Sequence, residues 1–325
     1  MAREKRLKIA KETMVYANTH TGTDYPVGIY YVELSKMFLE RAYWHWHEEL
    51  EIALVRKGTA VFCMGEKTYR VSSGSAVLLN GNHLHSIYAE EPCEIISTMF
   101  NADYLFGGKE TFLFSKYAAA ALGNGGLTIE VFSGQDLYGR TALEYIRNIV
   151  NTNLEQPFGY ELITKSELSK LWMHYLNRTL KLCPALKKGP SENLSSAEVD
   201  EERTKKAILF IQNHYEKKIT LDDIAEYVHV SKSECCRFFK RSMDVSPFDY
   251  LNTWRVYMSA VKMQQNAQEK YQIANLAEEV GFQNASYFNK IFKRTMNTTP
   301  LEYREEIKRS HRDALSPYGI PLARM

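Results

Sequence analysis

Cysteine is scarce in this chain, with five residues in 325, and no two of them stand in a CxxC pair. An odd, unpatterned set excludes a disulfide framework or a cysteine zinc module as the main source of stability, and it points to a reducing compartment. Adjacent Cys235 and Cys236 read as small helix residues. Long apolar runs are also lacking: no stretch approaches the roughly 18 residues that a membrane span needs. The opening Met1-Ala-Arg-Glu-Lys-Arg-Leu-Lys has no apolar signal core. The expectation is a cytoplasmic protein without a membrane partner. Net charge is small, with 41 basic against 39 acidic residues, but it is unevenly spread. From Arg203 onward there are 20 Lys/Arg and 14 Asp/Glu, whereas the residues before it hold 21 and 25. A polyanion would therefore bind the C-terminal part.

What is present there is a repeat. Phe239-Lys240-Arg241-Ser242-Met243 followed by Ser246-Pro247-Phe248-Asp249-Tyr250 returns as Phe292-Lys293-Arg294-Thr295-Met296 followed by Thr299-Pro300-Leu301-Glu302-Tyr303. A period of about fifty residues means that one supersecondary unit is used twice. Helix starts are well marked. Thr220 with Asp223, Ser231 with Glu234, Ser246 with Asp249 and Thr299 with Glu302 each put a hydroxyl at the N-cap and a carboxylate three residues on. Pro247 and Pro300 sit at the first helical position, where a missing N–H is harmless.

The first unit then reads as a helix near 221–228, a turn at His229-Val230 and a second helix near 232–243. In the second unit 276–280 leads through Gly281-Phe282 into a helix near 285–296. Cys235, Phe238, Phe239 and Met243 share one face, as do Phe288, Ile291, Phe292 and Met296. The opposite stripes are Ser233, Cys236, Arg237 and Lys240, and Ser286, Asn289, Lys290 and Lys293. Short side chains first and cations later suit a helix entering a major groove. Arg237 could contact guanine for roughly 1–3 kcal/mol of discrimination, Asn289 adenine, and Lys290 guanine or phosphate. Ser233, Cys236 and Ser286 complete the base-reading set, and Lys240, Arg241, Lys293 and Arg294 are placed on phosphates. A long helix over 247–265, about 28 Å at 1.5 Å per residue, would set the two reading helices roughly one DNA turn of 34 Å apart. His229 occupies the turn position that Gly281 fills in the second unit, which places a non-glycine at positive φ.

Before residue 183 the pattern is different. Val27 to Leu34, Glu51 to Arg56, Ala60 to Met64, Thr68 to Val71, Ala76 to Leu79 and Glu94 to Phe100 read as short strands between Gly-containing turns, as in a small antiparallel barrel or sandwich. Leu143, Ile146, Ile149 and Val150, then Leu168, Leu171, Trp172, Tyr175 and Leu176, recur at helical spacing. These helices could cover the barrel core or form a dimer contact. Pro184, Gly189-Pro190 and a Ser/Asn/Glu run mark a tether. The expected fold is α+β: a β-barrel domain with flanking helices over 1–182, a linker over 183–202, an all-α domain with two helix-turn-helix motifs over 203–309, and a frayed tail over 310–325.

Leu221-Asp-Asp-Ile-Ala225, Ser231 to Lys240, Leu276-Ala277, Val280-Gly-Phe282, Ser286-Tyr-Phe288, Phe292-Lys293 and Thr299-Pro300 resemble the AraC/XylS family of bacterial transcription regulators. The resemblance covers about a hundred residues. It implies a DNA-binding regulator without enzymatic activity, partnered by double-stranded promoter DNA, by RNA polymerase in activation and by a small-molecule effector, and acting as a homodimer. The N-terminal half resembles that family's cupin-like effector domain: His45-Trp-His47-Glu-Glu-Leu-Glu51 followed by Gly58 fits one cupin segment. Gly74 and His85 fit the second, with Asn80 and Asn82 where Pro and Gly are usual.

On one strand His45, His47 and Glu51 would share a face, and with His85 they could line the effector pocket or hold Mn, Fe, Ni or Zn. DNA binding itself requires no cofactor, and whether the barrel takes a divalent metal stays open. Tyr43, Trp44 and Trp46 could stack on a sugar, so a carbohydrate is one candidate effector. The competing function is a metal-dependent cupin enzyme fused to a DNA-binding domain.

Overall fold

The structure is a computed structural model that describes residues 25–123, 125–182, 194–266 and 272–312. The chain divides into two compact units at Glu198/Val199. The first unit holds strands β1 (Val27–Glu33), β2 (Arg41–His45), β3 (Leu50–Lys57), β4 (Thr59–Met64), β5 (Lys67–Ser72), β6 (Ala76–Asn80), β7 (His85–Ala89), β8 (Glu94–Phe100) and β9 (Ile129–Phe132). They form a five-stranded sheet in the order β1-β8-β3-β6-β9 and a four-stranded sheet in the order β2-β7-β4-β5, with every pairing antiparallel. The strands expected from sequence are all present, Glu94–Phe100 with the expected ends and the others shifted by one residue at one or both ends. His85–Ala89 and Ile129–Phe132 were not expected, and the strand expected to carry His45 together with His47 and Glu51 is Arg41–His45, which ends at His45.

Burial explains the patterning. Ala53, Val55, Val77 and Ile95 point between the sheets with Phe62, Val71 and Ile87, while Ile52, Leu78 and Phe100 point the other way, toward helices. The central strands of the larger sheet are thus covered on both faces and read as continuous apolar runs. Edge strand β5 has only Val71 fully buried and otherwise carries Lys67, Thr68 and Arg70 outward, which guards an open edge against pairing.

Short helices α1 (Ala102–Phe106), α2 (Phe112–Tyr117) and α3 (Ala119–Leu122) precede β9, and the long helices α4 (Leu137–Glu155) and α5 (Tyr160–Leu182) follow it. Leu143, Ile146, Ile149, Leu168, Leu171 and Trp172 pack in one cluster with Ile52, Leu78 and Phe132 of the sheet. The periodic apolar faces of both helices therefore cover the core of their own unit. Trp172 Nε1 donates to the Tyr117 carbonyl at 2.8 Å, which ties α5 to α2.

In the second unit, α6 (Ser196–His214), α7 (Leu221–Tyr227), α8 (Lys232–Met243), α9 (Pro247–Gln265), α10 (Ile273–Glu279), α11 (Ala285–Met296) and α12 (Pro300–Arg312) follow in order. The expected linker over 183–202 is described only from residue 194, and from Ser196 it is already helix, capped by the Ser195 side chain. The rest of that linker lies outside the described residues. The expected tail from residue 310 begins inside α12, and its remainder lies outside them as well.

The repeat is structural in detail. Phe239 meets Tyr250 edge-on at 6.4 Å between ring centroids, and Phe292 meets Tyr303 in the same way at 5.7 Å. Gln212 Nε2 donates to the Tyr250 hydroxyl at 3.0 Å, and Gln264 Nε2 donates to the Tyr303 hydroxyl at 3.0 Å. In the turns, the amide of Val230 reaches the Ala225 carbonyl at 3.0 Å and that of Phe282 the Ala277 carbonyl at 2.8 Å. His229 and Gly281 both adopt positive φ, 55° and 89°. A Cβ on Gly281 would also lie 2.1 Å from the Tyr215 carbonyl oxygen, so close approach as well as φ requires glycine there.

Candidate DNA interface and barrel pocket

The reading helices are anchored from behind. Phe238, Phe239 and Met243 of α8, and Phe288, Ile291 and Phe292 of α11, are buried, while Met296 is only half-buried. Ser231 caps α8 by accepting from the Glu234 amide at 3.2 Å. Asn284 caps α11 through the amides of Ser286 and Tyr287. These contacts turn the opposite faces to solvent. Ser233, Arg237 and Lys240 on α8, and Ser286, Asn289, Lys290, Lys293 and Arg294 on α11, are exposed. Cys236 is half-buried.

The cations differ in their local commitments. Arg237 Nη2 lies 2.5 Å from Glu234 Oε2. Lys240 Nζ lies 2.5 Å from Asp244, and Arg294 stands 3.6 Å from Asp249. Arg241 was placed on phosphate from sequence, but its Nε donates to Asp200 at 2.7 Å and its Nη2 to Glu234 at 3.1 Å, a strut between α6 and α8. The hydrogen bond from Arg241 and the neighbouring Arg237 charge hold the Glu234 carboxyl below its usual range, although its partial desolvation opposes them. Lys290 and Lys293 have no carboxylate within ion-pair distance among the described residues, so α11 presents the more available positive charge.

Sequence reasoning missed Arg255. It lies on α9, 7 % exposed, and donates through Nε to the Tyr215 carbonyl and through Nη2 to the Lys217 carbonyl, both at 2.8 Å. Its guanidinium also covers the Phe282 ring at 5.6 Å. Burial lowers its pKa to about 10. The long helix is thereby fastened both to the chain leading into the first motif and to the turn of the second. A buried arginine inside an otherwise apolar helical pattern was the only signal.

In the barrel, His45, His47 and His85 come together with ligand nitrogens within 4.8 Å of one another. The expectation that His45, His47 and Glu51 share one strand is corrected: His45 ends β2, His47 lies in the connection and Glu51 is on β3 of the other sheet. Their convergence comes from the facing sheets and from the His45–His85 register pair between β2 and β7. Glu51 flanks the cluster, its Oε2 3.4 Å from His47 Nε2, and accepts from Ser97 Oγ at 2.5 Å.

Backbone carbonyls set the rings. His45 Nδ1 lies 2.6 Å from the Tyr43 carbonyl, His47 Nδ1 3.1 Å from that of Glu49, and His85 Nδ1 2.7 Å from that of His83. A carbonyl only accepts, so each Nδ1 carries a proton; in a neutral His45 or His85 ring Nε2 then presents a lone pair, while His47 Nε2 faces the Glu51 carboxylate. Burial, with the charge of His47, lowers His45 to about 3. Burial and the neighbouring imidazoles drive His85 well below the ordinary range. Burial alone would raise Glu51, but its contacts with His47, His85 and Ser97 win and lower it. Gly81 makes room for this arrangement, since a Cβ there would lie 2.0 Å from the His47 ring.

His45, His47 and Glu51 form the polar end of a pocket whose other lining includes Leu34, Met37, Ile87, Ile95 and Met99, whereas His85 does not line it. Tyr30 is the aromatic residue that lines it. Tyr43, Trp44 and Trp46 do not line it, so the stacking platform expected for a sugar is not formed there.

Comparison with known proteins agrees with this division. Residues 27–119 match the AraC-like ligand-binding domain and residues 224–306 match a helix-turn-helix domain. The HTH-type transcriptional regulator YdeC of Bacillus subtilis is 26% identical over 88% of this chain and 94% of its own length. The HTH-type transcriptional activator RhaS of Pectobacterium carotovorum is 22% identical over 81% of this chain and 87% of its own. Among solved structures, apo ToxT from Vibrio cholerae aligns over 87% of this chain and 98% of that one, at 18% identity and a TM-score of 0.44. With one match to the AraC-like ligand-binding domain, one to a helix-turn-helix domain over the duplicated motif, and sequence relatives that are HTH-type transcriptional regulators, the chain belongs to the AraC family of transcriptional regulators.

Proposed function

We propose that this regulator reads promoter DNA with α8 and α11 in successive major grooves on one side of the duplex. The observation that carries the reading is the duplicated geometry: two helices with corresponding buried faces, a side-chain N-cap on each and corresponding exposed polar stripes, with one continuous helix of about 28 Å between the two motifs. Ser233, Cys236 and Arg237, with Ser286, Asn289 and Lys290, contact bases, while Lys240, Lys293 and Arg294 contact phosphates. Arg241 serves chiefly to hold α8 in place. The domains run to 182 for the effector unit and from about 196 for the DNA-binding unit. Activation through RNA polymerase and homodimer formation complete the reading, with no catalysis. Hydroxyl-radical footprinting upstream of its own gene should show two protected grooves per subunit. Arg237→Ala and Asn289→Ala should relax specificity at separate positions, and an unchanged footprint and sequence preference in both variants would refute the assignment.

The barrel pocket receives the effector, with His45, His47 and Glu51 at its polar end and His85 packed against His45, 4.1 Å between ring centroids. The same residues also support a second reading. Nε2 lone pairs backed by carbonyl-bound Nδ1 protons, next to a carboxylate, are a donor set suited to a divalent ion such as Mn, Fe, Ni or Zn. When bound, such an ion would supply a Lewis-acid anchor for an effector oxygen. Elemental analysis of the purified protein separates the two: stoichiometric metal retained through dialysis supports the second reading.

A further inference from the structure

The lining of the barrel pocket has few polar groups, and those it has are already committed. Ser97 Oγ donates to Glu51 Oε1 at 2.5 Å, and the other oxygen of that carboxylate lies 3.4 Å from His47 Nε2. His45 Nδ1 is bonded to the Tyr43 carbonyl and His47 Nδ1 to that of Glu49. Both histidines and Tyr30 have further interactions besides these. Among the described residues no Lys or Arg lines the pocket. The rest of the wall is apolar: Val32, Leu34, Met37, Ile87, Ile95 and Met99.

We infer that the effector is a neutral, mainly apolar molecule built on a compact aromatic ring, held by burial against this wall without a charged or polyhydroxylated head group. This rests on the reading that the barrel pocket is the effector site. Each alternative leaves something unpaired. Burial would raise the Glu51 carboxyl, but His47, His85 and Ser97 outweigh it, so the group is charged at neutral pH. An anionic ligand would meet that charge with no basic side chain in the lining to receive it. A cation would have to draw Glu51 away from Ser97 and His47, and a sugar would bury several hydroxyls against carbon. An apolar ring gives up no hydrogen bond on entry and gains from leaving water. Met37 and Met99 favour an aromatic ring in particular, because a thioether packs well against a ring edge and adapts to its shape.

The test uses the full-length protein near neutral pH, with thermal shift and calorimetric titration. The probes are toluene, benzylamine, benzoate and glucose. Toluene should raise the melting temperature saturably and bind about tenfold or more tightly than benzylammonium or benzoate, and glucose should give no saturable shift. Ala42 also lines the pocket, so Ala42→Phe fills it and should weaken toluene binding about tenfold or more. Val32→Phe, on edge strand β1, serves if the first variant fails to fold. Benzoate, benzylammonium or glucose binding as tightly as toluene, and lost in the filled variant, would overturn the neutral class while leaving the effector-site reading standing. Toluene binding that survives in a folded, filled variant would put the ligand elsewhere and overturn the proposal. No saturable shift from any of the four probes would overturn the proposal and count against the effector-site reading as well.

Discussion

The guanidinium of Arg237 reaches back one helical turn to the carboxylate of Glu234, 2.5 Å away, on the exposed face of the first reading helix. The residue best suited to a guanine is thus held by a neighbour that also braces Arg241. An exposed pair of this kind is weak and gives way readily to a better partner.

Glu234→Gln should therefore strengthen DNA binding. Removing the negative charge frees Arg237 and lessens repulsion from phosphate, so affinity should rise a few-fold at moderate salt in fluorescence anisotropy. The price is a looser Arg241 strut, visible as a small drop in melting temperature. A weaker complex would show that Glu234 orients Arg237 productively.

Lys293→Ala should act differently from Asn289→Ala. The lysine has no ion-pair partner among the described residues, so its loss should lower affinity for all sequences alike and reduce the salt slope by about one. The asparagine variant should leave the slope unchanged and relax preference at one base pair. Paired titrations on specific and scrambled duplexes distinguish the two.

Arg255→Ala should destabilise the DNA-binding unit by about 2–4 kcal/mol, because the buried Tyr215 carbonyl and the part-buried Lys217 carbonyl lose their donor and Phe282 loses its cover. Denaturant unfolding measures the loss. Arg255→Lys should recover only part of it, since an ammonium cannot span both carbonyls in the guanidinium's fork geometry.

Gly81→Ala should disturb the barrel pocket while leaving the DNA-binding unit intact. The added methyl group would overlap the His47 ring and must displace it. Effector-induced change in a reporter assay should disappear, whereas gel shift in the absence of effector should match the parent protein.

The barrel should lose stability in acid before most carboxylates titrate. Folded His45 has a pKa of about 3, against about 6.5 in the unfolded chain. Above pH 6.5 neither state takes up the proton and nothing is lost. As the pH falls from about 6.5 toward 3, only the unfolded chain binds it, so stability declines throughout that window. Melting temperature should drop between about pH 7 and pH 5, and His45→Gln should flatten the slope.

The helical half was legible because its signals are local. A hydroxyl three residues before a carboxylate, a proline at the first helical position and aromatics at helical spacing act within a turn or two of chain. The bounds of α8, α9 and α11 follow from them. The strands β2 and β7 were not legible. Neither shows a long apolar alternation, and their pairing with each other joins residues at least forty apart in sequence.

What the sequence alone determined is the repeated helix-turn-helix, the polar stripe it exposes and the set of His45, His47, Glu51 and His85 as a constellation worth finding. Tertiary structure decided how these are used. It paired Arg241 with Asp200, fastened Arg255 to the Tyr215 and Lys217 carbonyls, brought His45 to His85 across paired strands and set Glu51 opposite them from the second sheet. Capping and helix periodicity are read within a few residues. Which charge finds which partner, and which lone pair faces a cavity, depends on segments that only the folded chain brings together.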